Sequence, residues 1–364
     1  MPQRLWRAAK WLGIGLAGLI VVSLIPILWI ETRCIGRPDA DLEPAPSVLA
    51  KADRRDEINT YLTYPEWSIV HAYEDLAAVA RRSSETDYPY VRGIARYWSS
   101  LCSITQMSSK RGVISTEYKA MLYIIGVSFS AEWGIKGIYE NTIGRVTALI
   151  RGSTKTAEDE FAIKAWDEYN VFLQNAPWFE HAFGRQLGQF WRETSLVKGN
   201  PIRKLERRFA FSLEWGVKTI YARLIGAGAA ATMPGAAKVR SVVADLDASD
   251  VAADPRIAII KKLDTGHTII ETDRYQTLTE ILQGLAVRGR NMSEIAGNTH
   301  ILVTVQGPPG AAFASKEATV LFTVPVLVKD GWQRAAVDVK VSDLTEFLRK
   351  LKTSNIVLEH IYDY

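Results

Sequence analysis

The sixteen residues "FSAEWGIKGIYENTIG" at 129–144 return 82 residues later as "FSLEWGVKTIYARLIG" at 211–226. Phe, Ser, Glu, Trp, Gly, Lys, Ile, Tyr, Ile and Gly keep their places. A duplicated unit must find the same packing surroundings twice, so the fold of this region is constrained to contain an internal repeat. At 100° per residue the motif is helical, with Phe129, Glu132, Lys136, Tyr139 and Ile143 on one stripe. Phe211, Glu214, Lys218, Tyr221 and Ile225 repeat that stripe, and the opposite side is small: Ser130, Gly134 and Gly137, then Ser212 and Gly216. Small residues spaced in this way let another helix approach closely. A weaker third copy is "YPEWSIVHAYEDLA", where Glu66 and Trp67 match Glu132 and Trp133 but Val70 stands at the lysine position. Ahead of the two strong copies lie "YVRGIARYW" and "FGRQLGQFW". The expected repeat unit is therefore a helix pair, with an insertion in the first copy near "SSKRGVIST".

Within each strong copy Glu and Lys are four residues apart with Glu first, the better orientation for an intrahelical pair, which on an exposed helix contributes only about 0.2–0.5 kcal/mol. Inside an apolar stripe the balance changes, because removing one partner of a buried pair costs about 3–5 kcal/mol. The expectation is that Glu132–Lys136 and Glu214–Lys218 are core ion pairs that set helix register. The alternative is a ligand or metal cluster of Glu66, Glu132 and Glu214 rimmed by Trp67, Trp133 and Trp215, with Lys136, Lys218, Tyr139 and Tyr221 beside it. Di-iron bundles use Glu-x-x-His spacing. Here Glu66 to His71 is five residues, His71–Glu74 is isolated, and His181 directly follows Glu180. No metal and no cofactor are expected; Glu66, His71 and Glu74 are the nearest candidates.

Residues 1–10 are basic, and residues 11–30 then run without a charge. About 20 apolar residues suffice to span a bilayer. Basic residues before the run and Trp11 and Trp29 at its ends predict a single-pass signal anchor with a cytoplasmic N-terminus. The run is too long, and its end too bulky, for a cleaved signal peptide. On this reading the chain is an inner-membrane protein whose bulk lies in the periplasm. Cys34 and Cys102 would then meet in a compartment where a disulfide persists.

Residues 31–55, rich in Pro, Ala and charge, read as a linker. Residues 56–232 show helical periodicity, and residues 233–364 short β-branched runs. "TLTEILQGL" and "DLTEFLRKL" align without gaps, each flanked by strands. Two such halves predict an α+β domain of ferredoxin-like βαββαβ topology, with strands at 237–244 and 257–263 as extras.

The search for chemistry is short. No phosphate-binding glycine loop follows a strand, no nucleophile elbow occurs, and the five histidines are scattered. His267, His300 and His360 lie on or beside predicted strands and read as independent. Lys and Arg total 44 against 40 Asp and Glu, too even a balance to imply nucleic acid. The chain therefore reads as a membrane-anchored scaffold or accessory interaction protein of the bacterial envelope. Its expected partners are the bilayer, through the anchor, and a protein or a second copy. The alternative is a ligand-binding or enzymatic module built on the Glu-Trp motifs.

Overall fold

The computed structural model describes residues 10, 23–37, 46–55, 57–112, 114–195, 197, 199–232 and 238–363. Its first helix, α1, is described over residues 23–33. The helical domain follows as α2 (Glu57–Leu62), α3 (Tyr64–Arg82), α4 (Tyr90–Arg111), α5 (Thr116–Tyr139), α6 (Arg145–Arg151), α7 (Ala157–Leu173), α8 (Phe183–Glu193) and α9 (Pro201–Thr232). A π-helical turn, Glu140–Gly144, joins α5 to α6.

Two expectations need correction here, and the first is the anchor. Of residues 11–30, the first twelve lie outside the described residues. Among the described residues, no helix is long and apolar enough to cross a membrane. One side of the end of the apolar run packs into the protein, while Leu24, Ile25, Leu28 and Trp29 are exposed. Ile30 and Cys34 are completely buried, Ile27 packs on the helical core, and Glu31 pairs with Lys119 at 2.6 Å while accepting a hydrogen bond from Tyr123. Apolar length satisfies a protein core as readily as hydrocarbon, and here these residues contact α4 and α5. The signal anchor, and the inner-membrane and periplasmic placement that rested on it, are overturned. Cys34 and Cys102 are joined by a disulfide, which ties the end of α1 to α4.

The repeat is also larger than a helix pair. "AYED" in α3 (Ala72–Asp75) answers "AWDE" in α7 (Ala165–Glu168) at an offset of 93, the offset that also relates Trp98 in α4 to Trp191 in α8. The motif helices α5 and α9 are offset by 82. The difference of 11 equals the excess of α4, 22 residues, over α8, 11 residues. The unit is thus α3–α4–α5 repeated as α7–α8–α9, with three extra turns on α4. Equivalent contacts recur in both copies. Trp98 Nε1 donates to Ser130 Oγ at 2.9 Å, and Trp191 Nε1 donates to Ser212 Oγ at 3.0 Å. Phe129–Trp133 and Phe211–Trp215 ring centroids are each 5.0 Å apart.

The second correction concerns the C-terminal domain, which is a duplication of a different kind. β1 (Lys238–Ala244), α10 (Ala248–Ala253), β2 (Ala258–Lys262), β3 (His267–Asp273), α11 (Gln276–Val287) and β4 (Met292–Ile295) build one sheet of order β2-β3-β1-β4. β5 (His300–Gly307), β6 (Ala318–Pro325), β7 (Gln333–Lys340), α12 (Leu344–Lys352) and β8 (Val357–Ile361) build a second of order β6-β7-β5-β8. All pairings are antiparallel. The expectation of one ferredoxin-like βαββαβ unit shared by the two matched helices fails because each half closes its own four-stranded sheet; the first half by itself runs βαββαβ, and the second repeats its strand order without the first helix. The strands taken as extras are β1 and β2, integral to the first half. Periodicity marks strands but not their pairing.

Sheet β6-β7-β5-β8 joins the domains. Along β5 and β7, Ile301, Val303, Val305, Ala335, Val337 and Val339 face α11 and α12, whereas Leu302 and Ala336 belong to the core of the helical domain. This strict alternation is the period-2 pleat of a sheet buried on both faces. Residues 46–55 are not a free tether. Glu294 accepts from Ser47 Oγ at 2.5 Å, and Arg240 pairs with Asp53 at 2.6 Å.

The Cys34–Cys102 bridge closes a separation of 68 residues. Loop closure of that length predicts that Cys102→Ser lowers the unfolding free energy by roughly 2–4 kcal/mol. Urea titration of the oxidised, reduced and substituted chains measures this, and an unchanged midpoint would refute it.

Candidate functional site

The duplicated motif forms the seam between the two three-helix units. Lys136 of α5 pairs with Glu214 of α9 at 3.0 Å, and Lys218 of α9 pairs with Glu132 of α5 at 2.8 Å. The expected intrahelical pairing survives only as Lys218–Glu214 at 3.4 Å. Aromatic contacts are exchanged in the same way. Lys136 Nζ lies 4.8 Å from the Trp166 ring of α7, and Lys218 Nζ lies 5.0 Å from the Tyr73 ring of α3. Tyr73 also donates to Glu132 at 2.6 Å and accepts from Lys218 at 2.6 Å. Burial alone would raise the Glu214 carboxyl, but Lys136 and Lys218 outweigh it and hold it at about 2. Burial would lower Lys218, yet Glu132 and its neighbours keep it well above its ordinary value. Both carboxylates are paired with lysines, an arrangement that stabilises helix register.

The remaining motif residues go elsewhere. Trp133 and Trp215 are buried in the aromatic cores of their units. Tyr139 donates to Glu206 at 2.7 Å, and Tyr221 stacks on Trp178. Glu66 does not join Glu132 and Glu214. It lies on α3 toward Arg274 and Asp363, and burial, eased by Arg274, pushes it to about 7. Trp67 stacks on His360 with ring centroids 3.6 Å apart. His360 is pushed down to about 3 by burial and is neutral there. His300 contacts Asp338, and His267 contacts Thr265, so the three strand histidines do not meet.

A second group of charges was not anticipated. Arg203, Lys204, Arg207 and Arg208, in the first turns of α9, are buried. Arg203 and Arg207 bind Glu85, Asp159, Glu206 and Glu140, while Lys204 and Arg208 share Glu158. Glu140 comes from the π turn, whose Gly144 has no room for a side chain against the Glu140 carboxylate. Arg151 pairs with Asp159 at 2.8 Å. In sequence, "RKLERRF" reads as a solvated basic helix start. The missed signal is that its apolar residues are the ones left outside. Ile202, Leu205 and Phe209 are exposed, and the exposed series continues through Leu213, Val217, Ile220 and Leu224. α9 is therefore inverted relative to an ordinary surface helix, which turns its apolar stripe inward.

α5 and α6 carry a matching outer stripe. Ile135 and Ile138 are each 71% exposed, Leu149 is 75% exposed, and on α9 Phe209 and Leu224 are 64% and 68% exposed. α6 lies along the first turns of α9, with Thr147 Oγ1 donating to Glu206 and Asn200 Nδ2 donating to the Ile150 carbonyl, which brings the two stripes side by side. A Cβ added at Gly134 or Gly216 would meet nothing within 4 Å.

The third feature is a narrow cleft of about 20 Å³ where α3 and α4 meet sheet β6-β7-β5-β8, lined by Tyr64, Ser68, His71, Asp75, Arg96 and Arg334 among others. Burial pushes Asp75 up to about 6 despite Arg334 and its partner Arg96 at 3.0 Å. His71, a weak metal candidate by spacing with Glu74, lines this cleft and lies between Glu74 and Glu359 of β8. Comparison with protein-family models, curated proteins and solved structures returned no match.

The seam makes a sharp prediction. Lys136→Met leaves Glu214 with less compensation and should destabilise by about 3–5 kcal/mol, whereas Lys136→Met with Glu214→Leu should recover most of that loss. Denaturant unfolding of both variants decides it; equal losses would show that the pair is not coupled. Because Glu214 is held at about 2 against an ordinary 4.5, its contribution is fully present above 4.5 and is lost as pH falls toward 2. Glu214→Gln should flatten the acid limb of the stability profile.

Proposed function

We propose that this chain is a non-enzymatic interaction protein that assembles with a second copy of itself through the outer face of α5, α6 and α9. The first turns of α9 carry this reading: their cations point inward to carboxylates, while Ile202, Leu205 and Phe209, and further along Leu213, Val217, Ile220 and Leu224, point outward. The exposed apolar side chains follow one another along α5, α6 and α9 rather than standing singly, and large exposed apolar patches mark interaction surfaces.

A second copy suits the details of the face. Gly134 and Gly216 leave gaps among the apolar side chains where a helix of another chain can approach. Exposed Asn141, Thr142, Arg145 and Arg223 interrupt the stripes with polar groups, the mixture of a protein interface rather than of a surface for hydrocarbon. The internal repeat places comparable stripes on α5 and α9, and a two-fold dimer presents the same face to itself.

Sedimentation equilibrium tests the proposal. The chain should associate reversibly to a dimer, and Ile138→Glu with Leu213→Glu should leave a monomer of unchanged thermal stability, since both side chains are exposed. A wild-type chain that stays monomeric at every accessible concentration would overturn it. So would a monomer that instead partitions onto lipid vesicles.

A further inference from the structure

The domain junction carries a second, independent feature. His71 and Glu74 lie one turn apart on α3, and Glu359 lies on β8, so two domains supply one cluster. One ligand atom from each residue can be chosen so that all three fall within 4.8 Å of one another. His71 Nε2 is 3.7 Å from Glu359 Oε2, and His71 Nδ1 is 3.8 Å from Glu74 Oε2. The His71 side chain is 8% exposed, and its Nε2 has no hydrogen-bond partner among the described residues. A buried imidazole nitrogen aimed at a carboxylate, but beyond hydrogen-bonding reach of it, lacks the atom that would satisfy both.

One ion with bonds of about 2.0–2.2 Å takes only one imidazole nitrogen, so Nε2 and Glu359 Oε2 are the pair at ligand spacing, and Glu74 completes a set whose atoms lie within 4.8 Å of one another. We propose that His71, Glu74 and Glu359 bind a first-row divalent transition-metal cation, with zinc as the reference ion, and that the ion ties α3 to β8. An imidazole in the set favours such a cation over magnesium or calcium.

Arg334 is the group that argues against a cation. It donates to both oxygens of Glu359, at 2.5 and 2.6 Å, and approaches Glu74 at 3.6 Å. Each carboxylate oxygen has two acceptor sites, so a guanidinium on one side leaves another for a metal. Ligating carboxylates are commonly held by such outer partners, and Gln306 adds a further hydrogen bond to Glu359. With neutral His71, the two glutamates and Arg334 sum to one negative charge, which a dication reverses to one positive. Asp75 and Arg96 nearby cancel each other. The adjoining cleft reaches His71 and Arg334 and supplies a route of entry. With three protein ligands, the remaining positions would fall to water. The role is a structural staple, separate from the apolar face.

Isothermal titration of the full chain with zinc chloride after chelator treatment is the test, read together with thermal melting. One saturable equivalent should bind at neutral pH and raise the melting temperature. Glu74→Gln, on the most exposed ligand, should weaken binding about tenfold or more, and His71→Gln should do the same. His267→Gln, at an exposed site, should leave binding unchanged. Absence of saturable binding overturns the assignment. So does a bound equivalent whose affinity is indifferent to Glu74→Gln and His71→Gln, or one removed by His267→Gln.

Discussion

The crossed lysine–glutamate pairs at the seam of the helical domain are the interaction on which the rest depends. Lys136 reaches Glu214, and Lys218 reaches Glu132 as well as Glu214 of its own helix, so the charges of the two motif helices are shared across the seam. Each lysine also rests on an aromatic ring of the opposite unit. A buried charge without its partner costs several kcal/mol, so neither unit can close on itself without the other. The two halves of the repeat therefore behave as an internal dimer. α3, held between the seam and the C-terminal domain, carries that order to the junction.

The same logic explains why α9 is inverted. Its first turns carry Arg203, Lys204, Arg207 and Arg208 toward Glu85, Glu140, Asp159, Glu206 and Glu158, and a helix that points four cations inward must turn other residues outward. Here those residues are Ile202, Leu205, Phe209 and their successors. The interior of this domain is thus partly ionic and part of its exterior apolar. The C-terminal domain follows the ordinary rule. Its central strands alternate between two cores, and its edge strand β2 is exposed and ends in Lys261 and Lys262, charges that discourage edge pairing.

How much was legible in the sequence differs from element to element. The Glu-Trp-Gly-x-Lys duplication was visible because ten residues keep their spacing. The three-helix unit was not, since α4 and α8 differ by 11 residues and the offset changes from 93 to 82 part-way through. Glu66 looked like a third motif copy on local letters alone, yet its helix corresponds to α7. His71 and Glu74 were one turn apart on the page, but Glu359 lies 285 positions beyond Glu74, and no spacing rule links a helix to a strand of another domain. The ionic cluster around Arg203 and Arg207 escaped because charge patterns indicate a solvated face unless burial is known.

By itself, then, the sequence determined what repeats and what periodicity encode: a helical region, a strand-rich region, a duplicated motif helix and the matched pair of helices α11 and α12. Only the tertiary structure decided which charge meets which and which strand pairs with which. It also decided which side of a helix is outside, and that the apolar run ending at residue 30 finishes in a protein core. Periodicity is a local property carried by neighbouring residues, whereas pairing and burial depend on groups brought together from distant positions. Lysine and glutamate four apart are equally compatible with an intrahelical pair and with a crossed one. The choice belongs to the packing of α5 against α9.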